Sequence, residues 1–223
     1  MPSVYDDDAK VGDLTRQVMN AGCRVLQIYK FGDTERGHVA ALLAYLNPPK
    51  NAHILDAGCG VGEVARLMAE ERPDLNFTLL NISPAQLNMC PPELPKVRGR
   101  LEDLSAFDDG HFDAVMICYA LGHADLEQTI GEASRVLRQH GILFIYDMTA
   151  QDVNRLRESL SYQLHTPDTV TACAAKHGFP ADLAVRVLPS NASMRDFSRL
   201  ETNAELFELL GAVQPILYRF VKC

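Results

Sequence analysis

Two kinds of hydrophobic run alternate along this chain. Short, nearly continuous apolar blocks occupy residues 53–57, 76–81, 112–118 and 142–147. Their length and β-branched or aromatic content predict strands buried on both faces. Longer segments between them, 63–71 and 126–138, place apolar residues three and four apart among good helix formers, which predicts amphipathic helices. A weaker strand is expected at 96–99, a short helix at 84–89, and a final strand or hairpin pair at 212–221. Ahead of the first strand the pattern is helical over 9–29 and 37–46, ending at the breaker Asn47-Pro48-Pro49-Lys50. Strand and helix alternate without repeats or low-complexity stretches. The expected architecture is therefore α/β, a doubly wound, mostly parallel sheet with helices on both faces.

The step from the first strand to the next helix carries the most chemistry. His53-Ile54-Leu55-Asp56-Ala57 runs directly into Gly58-Cys59-Gly60-Val61-Gly62 and then into a helix starting at Glu63. Glycines at a strand end permit positive φ and let backbone N–H groups approach a ligand, and the helix start adds a weakly positive end. The G-x-G-x-G spacing differs from the G-x-G-x-x-G of dinucleotide folds. In open α/β sheets ligands lie beyond the carboxyl ends of the strands, so each residue that closes a strand is a candidate for contact.

The order Leu55-Asp56-Ala57-Gly58-Cys59-Gly60-Val61-Gly62 resembles the first motif of class I S-adenosylmethionine-dependent methyltransferases, and the order of elements matches that family through almost the whole chain. The resemblance implies a Rossmann-like sheet of seven strands and S-adenosylmethionine as cofactor, with Asp56, Gly58, Cys59 and Gly60 around its amino-acid part. Asn81 stands where the family commonly has an acid that accepts from both ribose hydroxyls. An asparagine accepts only through its one carbonyl oxygen, and a strand-end turn or helix N-cap is the competing role. The run Leu80-Asn81-Ile82-Ser83-Pro84-Ala85-Gln86 resembles the branch containing cyclopropane synthases and several carbon methyltransferases, which adds Ile82 and Gln86 to the cofactor set. After the third strand, Gly99-Arg100-Leu101-Glu102-Asp103 is expected to meet the adenine, with Leu101, Glu102 and Asp103 as candidates in an open register.

The loop Cys118-Tyr119-Ala120-Leu121-Gly122-His123-Ala124-Asp125 resembles the one that passes beside the methionine portion, which places Cys118 and His123 at the cofactor. A histidine titrates near neutrality, so His123 suits a general base for an acceptor that must lose a proton; alternatively it caps the next helix and shapes the pocket. Tyr29, the second candidate catalytic residue, and Phe31 could form an aromatic lid over a sulfonium, with core packing as the alternative for both. Tyr162 and His165 are candidates to face substrate from an insert over 151–190.

A chain of 223 residues, 47% hydrophobic and 22% charged, suits one sizeable core, so a single domain over 1–223 is expected, with a helical cap over 1–50 and the insert. The net charge of -8 argues against a broad nucleic-acid surface. No apolar run is long enough for a bilayer, and Met1-Pro2-Ser3-Val4-Tyr5-Asp6 lacks the regions of a signal peptide, so a cytoplasmic protein without a membrane partner is expected. Cys23, Cys59, Cys90, Cys118, Cys173 and Cys223 show no C-x-x-C pairing and no histidine at zinc spacing; reduced thiols and no metal are expected. The expected function is methyl transfer from S-adenosylmethionine to a small-molecule acceptor, with carbon, nitrogen or oxygen left open and a homodimer compatible. The alternatives are a cyclopropane-synthase-like enzyme and a non-catalytic cofactor-binding regulatory or partner subunit.

Overall fold

The computed structural model describes residues 7–27, 29–150, 153, 162–180, 185–187 and 212–223. The reading of the chain start, Ile28 and the rest of the 151–190 insert lie outside the described residues. Two helices come first, α1 (Asp8–Asn20) and α2 (Glu35–Leu46). Then follow β1 (His53–Ala57), α3 (Glu63–Glu71), β2 (Asn76–Asn81), the one-turn α4 (Pro84–Leu87), β3 (Lys96–Arg98) and β4 (Phe112–Cys118). A 3₁₀ turn at Leu121–His123 leads to α5 (Leu126–Val136), β5 (Leu137–Ala150), α6 (Pro167–Lys176), β6 (Val185–Val187) and β7 (Val213–Val221). Side-chain oxygens cap most helix starts: Asp7 accepts from the Lys10 N–H, Thr34 from Gly37, Asp125 from Gln128 and Thr166 from Thr169. Among the described α-helices α3 alone begins without such a cap, directly on Gly62.

The sheet has seven strands in the order β3-β2-β1-β4-β5-β7-β6. The first five run parallel, while β7 is antiparallel to both β5 and β6. Successive residues of a strand point to opposite faces, and both faces are filled. Ile54, Leu79, Met116 and Phe144 meet Leu42, Leu46, Ala65 and Met68 of α2 and α3 on one side. Leu55, Leu80, Val115 and Leu143 meet Ile130, Ala133, Val170 and Ala174 of α5 and α6 on the other. The chain leaves β1 toward β2 and β3 and later returns to its other edge as β4. The carboxyl ends of β1 and β4 therefore flank a topological switch point, where an open α/β sheet has its crevice. None of the described helices is long and apolar enough to cross a membrane.

Three expectations about elements change. The helix expected over 9–29 stops at Asn20, since Gly22 has φ 90° and the Arg24 and Val25 N–H groups donate to Glu35 Oε1 at 2.8 Å each instead of to a helix ladder. Residues 23–27 and 29–31 form an irregular strap. β5 extends past Asp147 to Ala150 because β7 pairs with it continuously from Ile142 to Ala150. β6, within the expected insert, is a strand of the sheet that only three residues form, too short to stand out as a hydrophobic run.

Candidate active site

The glycine turn is fixed at the switch point by its neighbours. Gly58 and Cys59 both donate backbone N–H groups to Leu80 O, at 2.8 and 3.1 Å, which ties the turn to β2. Gly58 has φ 80°, and a Cβ there would stand 2.4 Å from Cβ of Ala120 in the loop after β4. The turn and that loop thus touch through a position that only glycine can fill.

Two adjacent clefts open around this contact and share Gly58 and Tyr119 in their walls. The larger, about 620 Å³ including its mouth, is lined by Leu80, Asn81, Ile82, Gly99 to Glu102, Ala120, His123 and Ala124. The smaller, about 470 Å³, lies between the strap and the glycine turn and is lined by Arg24, Leu26, Gln27, Asp56, Cys59, Gly60, Glu63, Gln86 and Cys118. Asp56 is the electrostatic centre of the smaller cleft. Its carboxylate is buried, burial raises its pKa to about 7, and its Oδ2 has no hydrogen-bond partner. A buried carboxylate oxygen without a donor is costly, and a ligand that brings an N–H or O–H to this wall relieves that cost. The residues present therefore fit a ligand with an amino group.

Asn81 lines the larger cleft, but its side chain is committed elsewhere. Its Nδ2 donates to Gly60 O at 3.1 Å and to Gln86 Oε1 at 2.9 Å, and its Oδ1 accepts from the Ser83 N–H at 3.2 Å. Gln86 in turn donates to Thr15 Oγ1 at 3.0 Å, and Thr15 donates to Val11 O at 2.8 Å. A directional chain of amides and a hydroxyl thus runs from α1 through α4 to the glycine turn. Asp8 secures the same junction by accepting from Ser83 Oγ at 2.5 Å and from the Ala85 N–H.

The candidates after β3 stand in different places. Leu101 is buried and lines the cleft; Glu102 lines it too, with Oε1 accepting from the Asp125 N–H at 3.1 Å. Asp103 does not line the cleft: it is exposed, closes a turn by accepting from the Ser105 N–H, and borders a second surface groove that Glu102 also lines. Leu101 and Glu102 are brought to the cleft because the chain reverses at Arg100, whose carbonyl accepts from the Asp103 N–H.

His123 stands exposed on the rim of the larger cleft, with its ring edge-on to Tyr162 at a centroid distance of 4.7 Å. Partial enclosure by the cleft wall lowers the pKa of His123 below the ordinary imidazole value. Tyr162 itself is buried. It covers Gly122, where a Cβ would fall 2.1 Å from its ring, and donates from its hydroxyl to Asp147 Oδ1 at 2.6 Å. Asp147, whose pKa burial raises to about 6, accepts also from the Leu121 N–H at 3.2 Å. His165 is buried next to this layer, with its carbonyl accepting from Thr149 Oγ1.

Tyr29 is not brought to either cleft. Its side chain packs with Met148, Ala150, Tyr162, Leu164 and Val213, while its backbone is clamped, the N–H donating to Tyr119 Oη at 3.2 Å and the carbonyl accepting from Tyr146 Oη at 2.9 Å. Phe31 packs against His38, Tyr45 and Tyr146. These two aromatics hold the strap against the core, and neither roofs a cleft. His38, fully buried, accepts from the Phe31 N–H at Nδ1 (2.8 Å) and so carries its proton on Nε2, facing Gln27 Oε1 at 2.5 Å. Desolvation, helped by Lys30, holds its pKa down at about 3. Burial raises the Cys118 thiol, while Cys59 is raised by its contact with the Cys90 thiol and by burial, so neither is a thiolate at neutral pH.

Sequence reasoning missed Tyr119, Arg24 and Asp147 as site-forming residues. Tyr119 has φ 57°, an unusual backbone for an aromatic residue, and its position directly after β4 was the available signal. Arg24 gave none, because it fell inside an expected helix.

Residues 55–145 match the family model described as "Methyltransferase domain". The chain is 28% identical over 169 residues to the demethylmenaquinone methyltransferase of Thermotoga maritima, covering 73% of this chain and 68% of that protein. It is 27% identical to the malonyl-[acyl-carrier protein] O-methyltransferase of Dechloromonas aromatica, over 58% of this chain and 52% of that one, so it spans about half the length of that relative. Among solved structures, geranyl diphosphate C-methyltransferase from Streptomyces coelicolor superposes with a TM-score of 0.76 at 15% identity, covering 99% of both chains.

Proposed function

We propose that the chain, which matches a methyltransferase-domain model over residues 55–145, is a class I S-adenosylmethionine-dependent methyltransferase that methylates a small organic acceptor, with the cofactor spread across both clefts. The observation that carries this reading is the buried, unpartnered Oδ2 of Asp56 beside the glycine turn, a receptor for the cofactor's amino group. Arg24 on the facing strap has the charge for its carboxylate, Leu101 and Glu102 the position for the adenine, and the Ile82 side of the larger cleft the position for the ribose. Bound S-adenosylmethionine supplies a methyl group already activated on a sulfonium.

The chain's own work is then orientation and exclusion of water. The strap does this through hydroxyls of Tyr119 and Tyr146 that grip its backbone, and through His38. His123 sits on the rim of the larger cleft with its ring braced edge-on by Tyr162, so we assign it to the wall that seats the acceptor rather than to proton removal. Relatives that act on a quinone precursor and on a carrier-bound malonyl group support a small-molecule acceptor.

The test has two steps. Calorimetry with S-adenosylmethionine and its demethylated product should show binding to the purified chain. Incubation with methyl-labelled cofactor and a metabolite extract, followed by mass spectrometry, should reveal a labelled small molecule. Binding without any labelled product in extracts or with candidate acceptors would replace this reading with that of a cofactor-binding subunit.

A further inference from the structure

On the side of the sheet covered by α5 and α6, away from both clefts, three side chains with metal-ligating atoms converge. Cys173 and His177 are four residues apart on α6 and its C-terminal cap, so they share one face. Glu127, in the first turn of α5, stands opposite. Its Oε2 lies 3.5 Å from Cys173 Sγ and its Oε1 lies 3.1 Å from His177 Nε2. One ligand atom from each of the three residues lies within 4.8 Å of the other two. The sequence expectation of no histidine at metal spacing overlooked this pair, because the third ligand comes from another helix.

The surroundings are shaped for the imidazole. Gly131, in the middle of α5, faces it, and a Cβ there would stand 3.1 Å from His177 Cε1. The ring therefore lies against bare backbone at a position where most helices carry a side chain. Ser134 Oγ donates to the His177 carbonyl at 2.7 Å and fixes the backbone that holds the ring. Lys176 pairs with Glu127 Oε2 at 3.3 Å, and its side chain remains 66% exposed, free to swing away.

We propose that Glu127, Cys173 and His177 bind a divalent ion of the zinc class and clamp α6 to α5. Thiolate, imidazole and carboxylate together suit zinc, whereas magnesium and calcium prefer an all-oxygen set. Bond lengths of about 2.0–2.3 Å space tetrahedral ligand atoms roughly 3.5 Å apart; Glu127 already stands 3.5 Å from the thiol through Oε2 and 3.1 Å from the imidazole through Oε1, and the set closes within 4.8 Å. On binding, the Sγ–H bond breaks and its proton goes to solvent as a metal–sulfur bond forms; the Nε2 proton that faces Glu127 Oε1 is also given up to solvent while Nδ1 takes one from solvent, so the Nδ1–H tautomer offers the Nε2 lone pair to the metal, and Lys176 is released from Glu127. Water completes the fourth position. The clamp would brace the segment that enters α6, where the Gln163 N–H donates to Gly122 O at 2.8 Å and Tyr162 supports His123. The site stands on its own geometry and does not depend on the methyltransferase reading.

The experiment is a cobalt titration of the tag-free full chain after chelator treatment. One equivalent of Co²⁺ should produce a thiolate-to-metal absorption band in the near ultraviolet; Zn²⁺ should displace it and Mg²⁺ should not. Zn²⁺ should also raise the melting temperature. Cys173→Ser should remove the band, and His177→Gln and Glu127→Gln should each weaken binding by roughly tenfold or more. Cys223→Ser, at an exposed thiol, should leave it intact. Absence of the band at one equivalent, or its persistence in Cys173→Ser, overturns the proposal. Should Cys173→Ser fail to fold, unchanged affinity in His177→Gln and Glu127→Gln overturns it equally.

Discussion

Asp56 shows how one buried atom can link ligand binding to pH. Its carboxyl is half protonated near pH 7 in the free chain, since burial opposes its charge. A cofactor ammonium placed on Oδ2 favours the charged form, so binding expels the proton. Cofactor affinity should therefore rise as pH goes from about 6 to about 8, with a fraction of a proton released per binding event. Calorimetry in buffers of unequal ionisation enthalpy measures that release, and Asp56→Asn should abolish both it and the pH dependence; an unchanged profile in the variant would refute the assignment. Asn81 leads to a second expectation, opposite in sign to the one its place in the sequence suggests. The family's acid at this point makes Asn81→Asp look harmless or favourable. In the structure both amide hydrogens are used, on Gly60 O and Gln86 Oε1, and an aspartate would set a carboxylate against those two oxygens. Asn81→Asp should weaken cofactor binding at least tenfold, about 1.4 kcal/mol, with a lower melting temperature; equal or tighter binding would show that the cleft needs the acid more than the turn needs the amide.

Whole elements tell which of these features a sequence can carry. The strands around the switch point and the helices that follow them were legible because burial on both faces demands long apolar runs and a single covered face demands 3.6-residue spacing. The glycine turn was legible too, since positive φ at a strand end restricts the residue type. The strap was not: its backbone is held by Glu35 and His38 of the next helix and by Tyr119 and Tyr146 from far along the chain, contacts that leave no local period, and the helical pattern of 9–29 continued through it. Nor could the sequence show that Asp103 turns away while Leu101 and Glu102 face the cleft, because one turn decides it. The same contrast sets apart two of the three glycines of the turn, Gly58 and Gly60. Gly58→Ala forces a Cβ to within 2.4 Å of Ala120 and should destabilise the fold by about 1–3 kcal/mol as well as block the clefts. At Gly60 the nearest atom is the flexible Leu26 Cδ1 at 3.3 Å, so the cost of Gly60→Val comes from the backbone, whose φ of 56° a β-branched residue adopts at about 1–3 kcal/mol; the variant should fold with a lowered melting temperature and lose cofactor binding. Thermal melts beside calorimetry test both, and a Gly60→Val chain with near-normal affinity would move the cofactor away from this turn.

Over the molecule, buried groups with opposite shifts set how stability responds to pH. Asp56 and Asp147 titrate near 7 and 6 when folded, above the ordinary carboxylate range. Between those limits the unfolded chain is ionised while the folded one holds the protons, so their stabilising contribution is complete at acid pH and lost as pH rises through about 6–7. His38 acts in the other direction. Its folded pKa of about 3 lies below the unfolded value, so its contribution is complete above about 6.5 and lost as pH falls toward 3. From about pH 4.5 to 6.5 these slopes oppose each other, each unmatched proton being worth at most about 1.4 kcal/mol per pH unit. Removing one side should tilt the balance. Relative to the parent chain, Asp56→Asn should make the melting temperature climb with pH in this window, and His38→Gln should make it fall more steeply, by about 2–4 °C for each kcal/mol. Saturating cofactor should mimic Asp56→Asn, because an ammonium partner removes the reason for the raised pKa. Melting curves at several pH values, with and without cofactor, test this as differences between variants, in which the background of exposed carboxylates cancels. Parallel curves for the three chains would mean that these buried groups are solvated or paired in solution in ways that the folded geometry does not provide.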